Sequence, residues 1–152
     1  MPISAKGEYA VRALLDLALV YEDGTPLKAV EIAQREGISK KYLEQILTAF
    51  RRSGLVSTRS GQNGGYFLAK NPKEITIAAA LRIVEGPLAP VRCVSVTAYE
   101  KCTCRIEDTC ALRTVWQEAR DAMVGVLEST TLDGLAQRHR KMASDAAPMY
   151  HI

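Results

Sequence analysis

"GISKKYLEQILTAFRRSGLVSTRSGQNGGYFLAK", residues 37–70, decides the fold. Gly37 interrupts what precedes it, and Ser39 is suited to cap a helix through its side-chain oxygen. Tyr42, Leu43, Ile46, Leu47 and Phe50 then recur at i, i+1, i+4, i+5 and i+8, the stripe of a helix with one inward face. Gly54 suits the left-handed position just past its end. Two short runs of β character, 55–59 and 66–69, flank residues 60–65, whose glycines and asparagine tolerate positive φ, so the spacing predicts a hairpin with a flexible tip.

Upstream, residues 28–36 predict a short helix that buries Val30, Ile32 and Ala33. Before it, Ala10, Leu14, Leu17, Ala18 and Tyr21 share one helical face, with Val11 and Leu15 beside it, and "EDG" at 22–24 ends the helix. Downstream, Thr76 caps a helix through Glu85, which Gly86 and Pro87 terminate. Nothing is periodic from 87 to about 107. Leu112, Val115, Trp116, Ala119, Ala122, Met123, Val126 and Leu127 then form a seam over four helical turns. Thr131 caps a last helix through about Met142, and the tail "ASDAAPMYHI" (143–152) is expected to be loose.

The 152 residues suit one domain or a domain with an appendage. No apolar run approaches the roughly 20 residues that a membrane span requires. The first helix carries Glu8, Arg12 and Asp16 at helical intervals, which makes it amphipathic and unlike a secretory leader. A cytoplasmic protein with no membrane contact is expected, and in that compartment thiols stay reduced. The net charge is only +3, yet residues 40–73 hold seven basic side chains and one acidic one, Glu44. Such a patch attracts polyphosphate.

Two short helices joined across "GIS" and followed by a glycine-tipped hairpin make a winged helix-turn-helix. An α-helix fits the major groove with its first turn at the base edges, and its terminal amides favour phosphate. The buried stripe of the recognition helix leaves Lys40, Lys41, Glu44, Gln45, Thr48, Arg51 and Arg52 outside. Gln45 suits adenine, Glu44 suits cytosine N4, and Lys41 suits guanine or phosphate. Arg51 and Arg52 lie further along and suit phosphate. At the wing, Gly61, Gly64 and Gly65 allow close backbone approach to the sugar-phosphate surface, and Arg59 suits the minor groove. A winged helix used for protein contacts, with a structural zinc, is the alternative. No Ser/His/Asp or Cys/His constellation and no phosphate-binding Gly-Lys-Ser loop is present, so neither an enzyme nor a small-molecule substrate is expected.

All four cysteines fall in "CVSVTAYEKCTCRIEDTC", residues 93–110. Their chemistry leaves several outcomes open. Thiolates bind iron–sulfur clusters; four of them can complete a zinc tetrahedron; without metal they can switch through reversible disulfides; or they can be unrelated thiols.

"ISAKGEYAVRALLDLA", "GISKKYLEQILTAFRRSGLV" and "GGYFLAK", with a cysteine segment before a long helix, resemble the iron–sulfur cluster regulators of the IscR and NsrR type. The resemblance runs from about Met1 to Leu135. It implies a homodimeric transcription regulator, often a repressor, that binds palindromic duplex operators and senses redox state, nitric oxide or cluster supply. The fold it implies is mostly α with a small β-hairpin wing. Residues 1–86 form the winged helix-turn-helix domain, 87–107 the cofactor loop, 108–130 the dimerisation helix, and 131–152 a C-terminal helix and tail. Ser39, Tyr42, Glu44 and Gln45 fall in the family's recognition segment. Family wings commonly read Arg-Gly before the two-glycine turn, whereas this chain has Ser60-Gly61 with Arg59 one place earlier.

The resemblance assigns a 2Fe-2S or 4Fe-4S cluster to Cys93, Cys104 and Cys110. The interval between the first two is longer than usual, and Cys102 is additional. A relative with a histidine ligand places it three residues after the last cysteine, where this chain has Arg113; its histidines, His139 and His151, lie far along the tail. The fourth ligand is then Cys102 or Glu8, the latter at a position from which some relatives recruit an acidic residue of the other subunit.

Overall fold

The computed structural model describes residues 3–104 and 107–146. Helix α1 (Ala5–Leu19) is capped by Ser4, whose hydroxyl accepts from Gly7 N at 3.1 Å. It lays Ala10, Ala13, Leu14, Leu17 and Ala18 into the core. Helix α2 (Ala29–Glu36) starts one residue later than its periodicity suggests, because Lys28 is the cap and its amide donates to the Glu31 carboxylate at 3.1 Å. Ala29, Ile32 and Ala33 form its buried face. Val30 points away and is 41% exposed, which corrects the expectation that it is core.

Gly37, at φ 67°, turns the chain into α3 (Lys40–Arg52), capped by Ser39 accepting from Tyr42 N at 3.1 Å. Leu43, Ile46, Leu47 and Phe50 are fully covered. Past the end of α3, Gly54 adopts φ 74° and Leu55 N returns to Phe50 O at 3.0 Å, the closure of a Schellman motif. Leu55 is thereby drawn into the helix end, so strand β1 begins one residue later (Val56–Arg59) and pairs antiparallel with β2 (Gly65–Leu68). Two hydrogen bonds between Leu27 and Tyr66, 2.9 and 2.8 Å, tie the wing to the segment before α2.

Helix α4 (Ile77–Glu85), capped by Thr76, packs against α1 and α3. A loop containing a 3₁₀ turn at Arg92–Val94 leads, through a second one at Glu107–Thr109, to α5 (Ala111–Ser129) and α6 (Leu132–Ala146). The core does not stop at α4. Ile77 N donates to Thr130 O at 2.9 Å and Leu132 N to Ile75 O at 2.8 Å, which brings α6 back onto α1 with Leu132 and Ala136 buried. Helix α6 continues through Ala146, past the expected end near Met142, since no glycine or proline interrupts residues 135–146. The rest of the expected loose tail, with His151, lies outside the described residues.

Helix α5 buries no residue fully. Met123, Val124 and Leu127 lean on the core, and Trp116 is half-buried. Leu112, Val115, Ala119, Ala122 and Val126 stand exposed at alternating spacings of three and four, a continuous apolar face. The seam expected from periodicity is thus divided between two faces. No described helix is long and apolar enough to cross a membrane.

Candidate nucleic-acid interface and cysteine cavity

The cap at Ser39 points the first turn of α3 outward, and Lys40, Lys41, Gln45, Arg51, Arg52 and Arg59 are all exposed. Glu44 forms a same-face ion pair with Lys40 at 3.5 Å. Thr48 donates its hydroxyl to Glu44 O at 2.6 Å, so that group is engaged within its own helix. Tyr42 meets Tyr9 of α1 edge-on, with ring centroids 6.3 Å apart, which sets the rotation of α3 against α1.

On the wing, the Arg59 guanidinium lies over the Phe67 ring at 5.6 Å and is held along the strand. Ser60 and Gly61 are exposed at the tip. Gly64 is buried: a Cβ there would stand 2.2 Å from the Arg59 carbonyl oxygen, so the hairpin itself requires glycine. Gly65 is likewise pressed on the Leu27 carbonyl, 2.5 Å from where a Cβ would sit. Of the wing glycines expected at the duplex, Gly61 alone has open space on its Cβ side.

All four cysteines, separated by up to seventeen residues, line one cavity of about 180 Å³ with Val91, Glu107, Leu112, Arg113 and Trp116. The 3₁₀ turn supplies Cys93, and Cys110 is the cap residue of α5. Cys102 and Cys104 ride the loop between them, where Cys104 N donates to the Cys102 sulfur at 3.3 Å. Hydrogen bonds from the Cys104 side chain and backbone, and from Cys93, lower the Cys102 thiol from its ordinary value against burial and the Glu107 charge. Burial, then the neighbouring Cys102, push the Cys93 thiol up, opposed by Arg113. Of these two thiols, Cys102 is the more readily ionised. Among the described residues no three of these groups converge on a point as a single bound ion requires. Although Glu107 and Arg113 border it, the surface facing the cavity is mostly apolar and the donors are soft sulfurs, a set that suits thiolate ligation of iron–sulfur clusters.

Glu107 escaped the reading of the sequence. Its carboxylate accepts from the Tyr99 hydroxyl at 2.6 Å and from Cys102 N at 3.3 Å, folding the loop over the cavity. The Glu107 contact also raises the Tyr99 hydroxyl above its usual range. Nothing in periodicity marks such a residue; only its place three before Cys110 hinted at it. Glu8 is not in this cavity. It pairs with Arg12 one turn on, and Arg12 reaches Glu36 at 3.3 Å. His139 lies on α6, away from the thiols in sequence, and does not line the cavity.

Residues 3–138 match the family model described as Rrf2, an iron-dependent transcriptional regulator. The chain is 38% identical over 136 residues to an rrf2-like HTH-type transcriptional regulator of Rhodobacter capsulatus, covering 88% of this chain and 91% of the relative. It is 36% identical over 135 residues to the HTH-type transcriptional regulator IscR of Pectobacterium atrosepticum, covering 89% and 79%. The solved structure of CymR, named as the global cysteine regulator of B. subtilis, superposes with a TM-score of 0.77 and 36% identity, over 91% of this chain and 98% of that one.

Proposed function

The chain belongs to the Rrf2 family of transcriptional regulators, and from that premise we propose that it acts in the cytoplasm as a homodimer on palindromic duplex DNA, under the control of an iron–sulfur cluster in its cysteine cavity. It is a winged-helix regulator with no enzymatic role. The observation that carries the sensing half is the convergence of four thiols, from the turn, the loop and the cap of α5, on one apolar-walled cavity.

Cys93, Cys104 and Cys110 are the proposed ligands, with Cys102 of the same chain or Glu8 of a second copy completing the set. When bound, the cluster supplies an iron centre whose charge changes on oxidation or nitrosylation and is lost with the metal. The chain's own part is positional. The turn carrying Cys93 is held on α5, and the exposed face of α5 from Leu112 to Val126 suits a matching helix of a second copy. That pairing sets the separation of the two α3 helices, which must match a multiple of the duplex turn for both to enter the major groove. Lys41, Glu44 and Gln45 then read base edges, while Lys40, Arg51 and Arg52 meet phosphate, with Ser39 and Tyr42 fixing the helix start. Arg59, Ser60 and Gly61, supported by Gly64, carry the wing to the adjacent groove.

The test is anaerobic isolation, iron and sulfide assay, and titration of labelled operator with and without cluster. Affinities are expected to differ by about tenfold or more, the scale of a 1.4 kcal/mol population shift. Equal affinities remove the sensing claim. A metal-free thiol switch is the second reading, favoured by the hydrogen-bonded Cys102 sulfur and by the likeness to CymR. It predicts that iron-free protein changes its DNA affinity on mild oxidation and recovers it with dithiothreitol.

A further inference from the structure

The 3₁₀ turn at Arg92–Val94 presents two successive carbonyls, on Cys93 and Val94, to α5, and an arginine meets each one. Arg113 donates from Nε to Cys93 O at 3.3 Å. Arg120 donates from Nη1 to Val94 O and also pairs with the Asp121 carboxylate at 2.6 Å. Seven residues apart, the two arginines fall on one helical face, two turns from each other. The Arg120 side chain is only 16% exposed. A cation that far out of water is costly unless its hydrogen bonds are made, so its place is that of a structural tie and not of a surface charge.

We propose that Arg113 and Arg120 are positioning residues that fix Cys93 to α5 through the main chain, so that any event displacing this thiol is passed directly to α5. Cys110 caps the same helix. The tie therefore sets the separation of Cys93 and Cys110, whereas Cys102 and Cys104 stay on the loop between them. Because the contacts are made to carbonyls and not to sulfur, they persist whatever chemical state the sulfur takes. The functional half of this inference rests on the cavity being the sensing site.

The test uses full-length, fully reduced, chelator-treated protein. Alkylation of Cys93 by iodoacetamide is followed by peptide mass spectrometry, with Cys104 as the internal reference. Arg113→Ala and Arg120→Ala are each expected to raise the relative Cys93 rate by about tenfold or more, the weight of one charge-assisted hydrogen bond in an opening equilibrium. Loss of a nearby cation alone would slow the reaction, because the thiolate is the reactive form; a rise therefore reports lost position. Arg120 does not line the cavity, so its variant separates positioning from simple removal of cavity wall. Arg113→Lys keeps the charge but lacks the Nε donor, and is expected to behave as Arg113→Ala. Circular dichroism confirms the fold of each variant, and should Arg113→Ala not fold, the other two carry the test.

An unchanged Cys93 rate in a folded alanine variant, or full protection in Arg113→Lys, overturns the proposal. Wild-type protein reconstituted with iron and sulfide is assayed in parallel. Failure to take up either one sinks the cluster reading but leaves the Cys93 rates, measured without metal, to decide the tie.

Discussion

Gly64 leaves no room for a methyl group beside the Arg59 carbonyl. Gly64→Ala should therefore splay the wing and cost about 1–3 kcal/mol, the range for an overpacked site, seen as a lower melting midpoint. Asp16 makes a second residue-level case. Its side chain is 13% exposed, Oδ1 stands 3.3 Å from Arg35, and Oδ2 is buried with no hydrogen-bond partner among the described residues. Burial raises its carboxyl above the ordinary value despite Arg35. A carboxyl raised in the folded state disfavours folding at pH above that raised value, and the cost fades as pH falls through it toward the unfolded value. The melting difference between Asp16→Asn and wild type should thus shift in favour of wild type as pH is lowered through the carboxylate range; a pH-independent difference would contradict the assignment. At this scale the caps Ser39, Thr76 and Thr131 were legible, because capping is local chemistry. Glu107, Arg113 and Arg120 were not, because each acts on a backbone group that only folding brings near.

Among the elements, α3 depends on its first turn. Ser39→Ala removes the acceptor for Tyr42 N and should lower stability by about 1 kcal/mol; operator affinity should fall with it in fluorescence anisotropy if, as proposed, the same turn enters the groove. Helix α5 depends on its exposed stripe. If a second copy covers it, Val115→Glu buries a carboxylate in an apolar seam at a cost of several kcal/mol, and sedimentation should show monomer where wild type shows dimer. Wild-type protein sedimenting as a monomer would remove the pairing. The amphipathic stripes of α1 and α3 were readable because each faces a single core. That of α5 misled in part, since its apolar residues divide between the core, the cysteine cavity and solvent, and a count of hydrophobic intervals does not separate these.

Across the whole molecule, a nearly neutral chain concentrates cations on residues 40–73, so DNA binding should be strongly salt-dependent. Each phosphate-paired cation adds about −0.9 to the slope of log K against log salt. Arg51→Ala is expected to flatten that slope by about 1 per subunit, with little change in sequence preference; an unchanged slope would take Arg51 off the phosphates. Periodicity, caps and glycine placement, all properties of neighbours along the chain, were enough for the helix-turn-helix, the wing and the crowding of thiols into one segment. The return of α6 to the core was settled by contacts between residues more than fifty apart, as between Ile75 and Leu132. The meeting of all four sulfurs around one cavity, and the hydrogen bonds of the Cys93 turn to Arg113 and Arg120 of α5, were settled over shorter spans, the latter at separations of 20 and 26 residues. Such contacts depend on which surfaces win the competition for burial and for unsatisfied carbonyls, and that competition has no signature in local spacing.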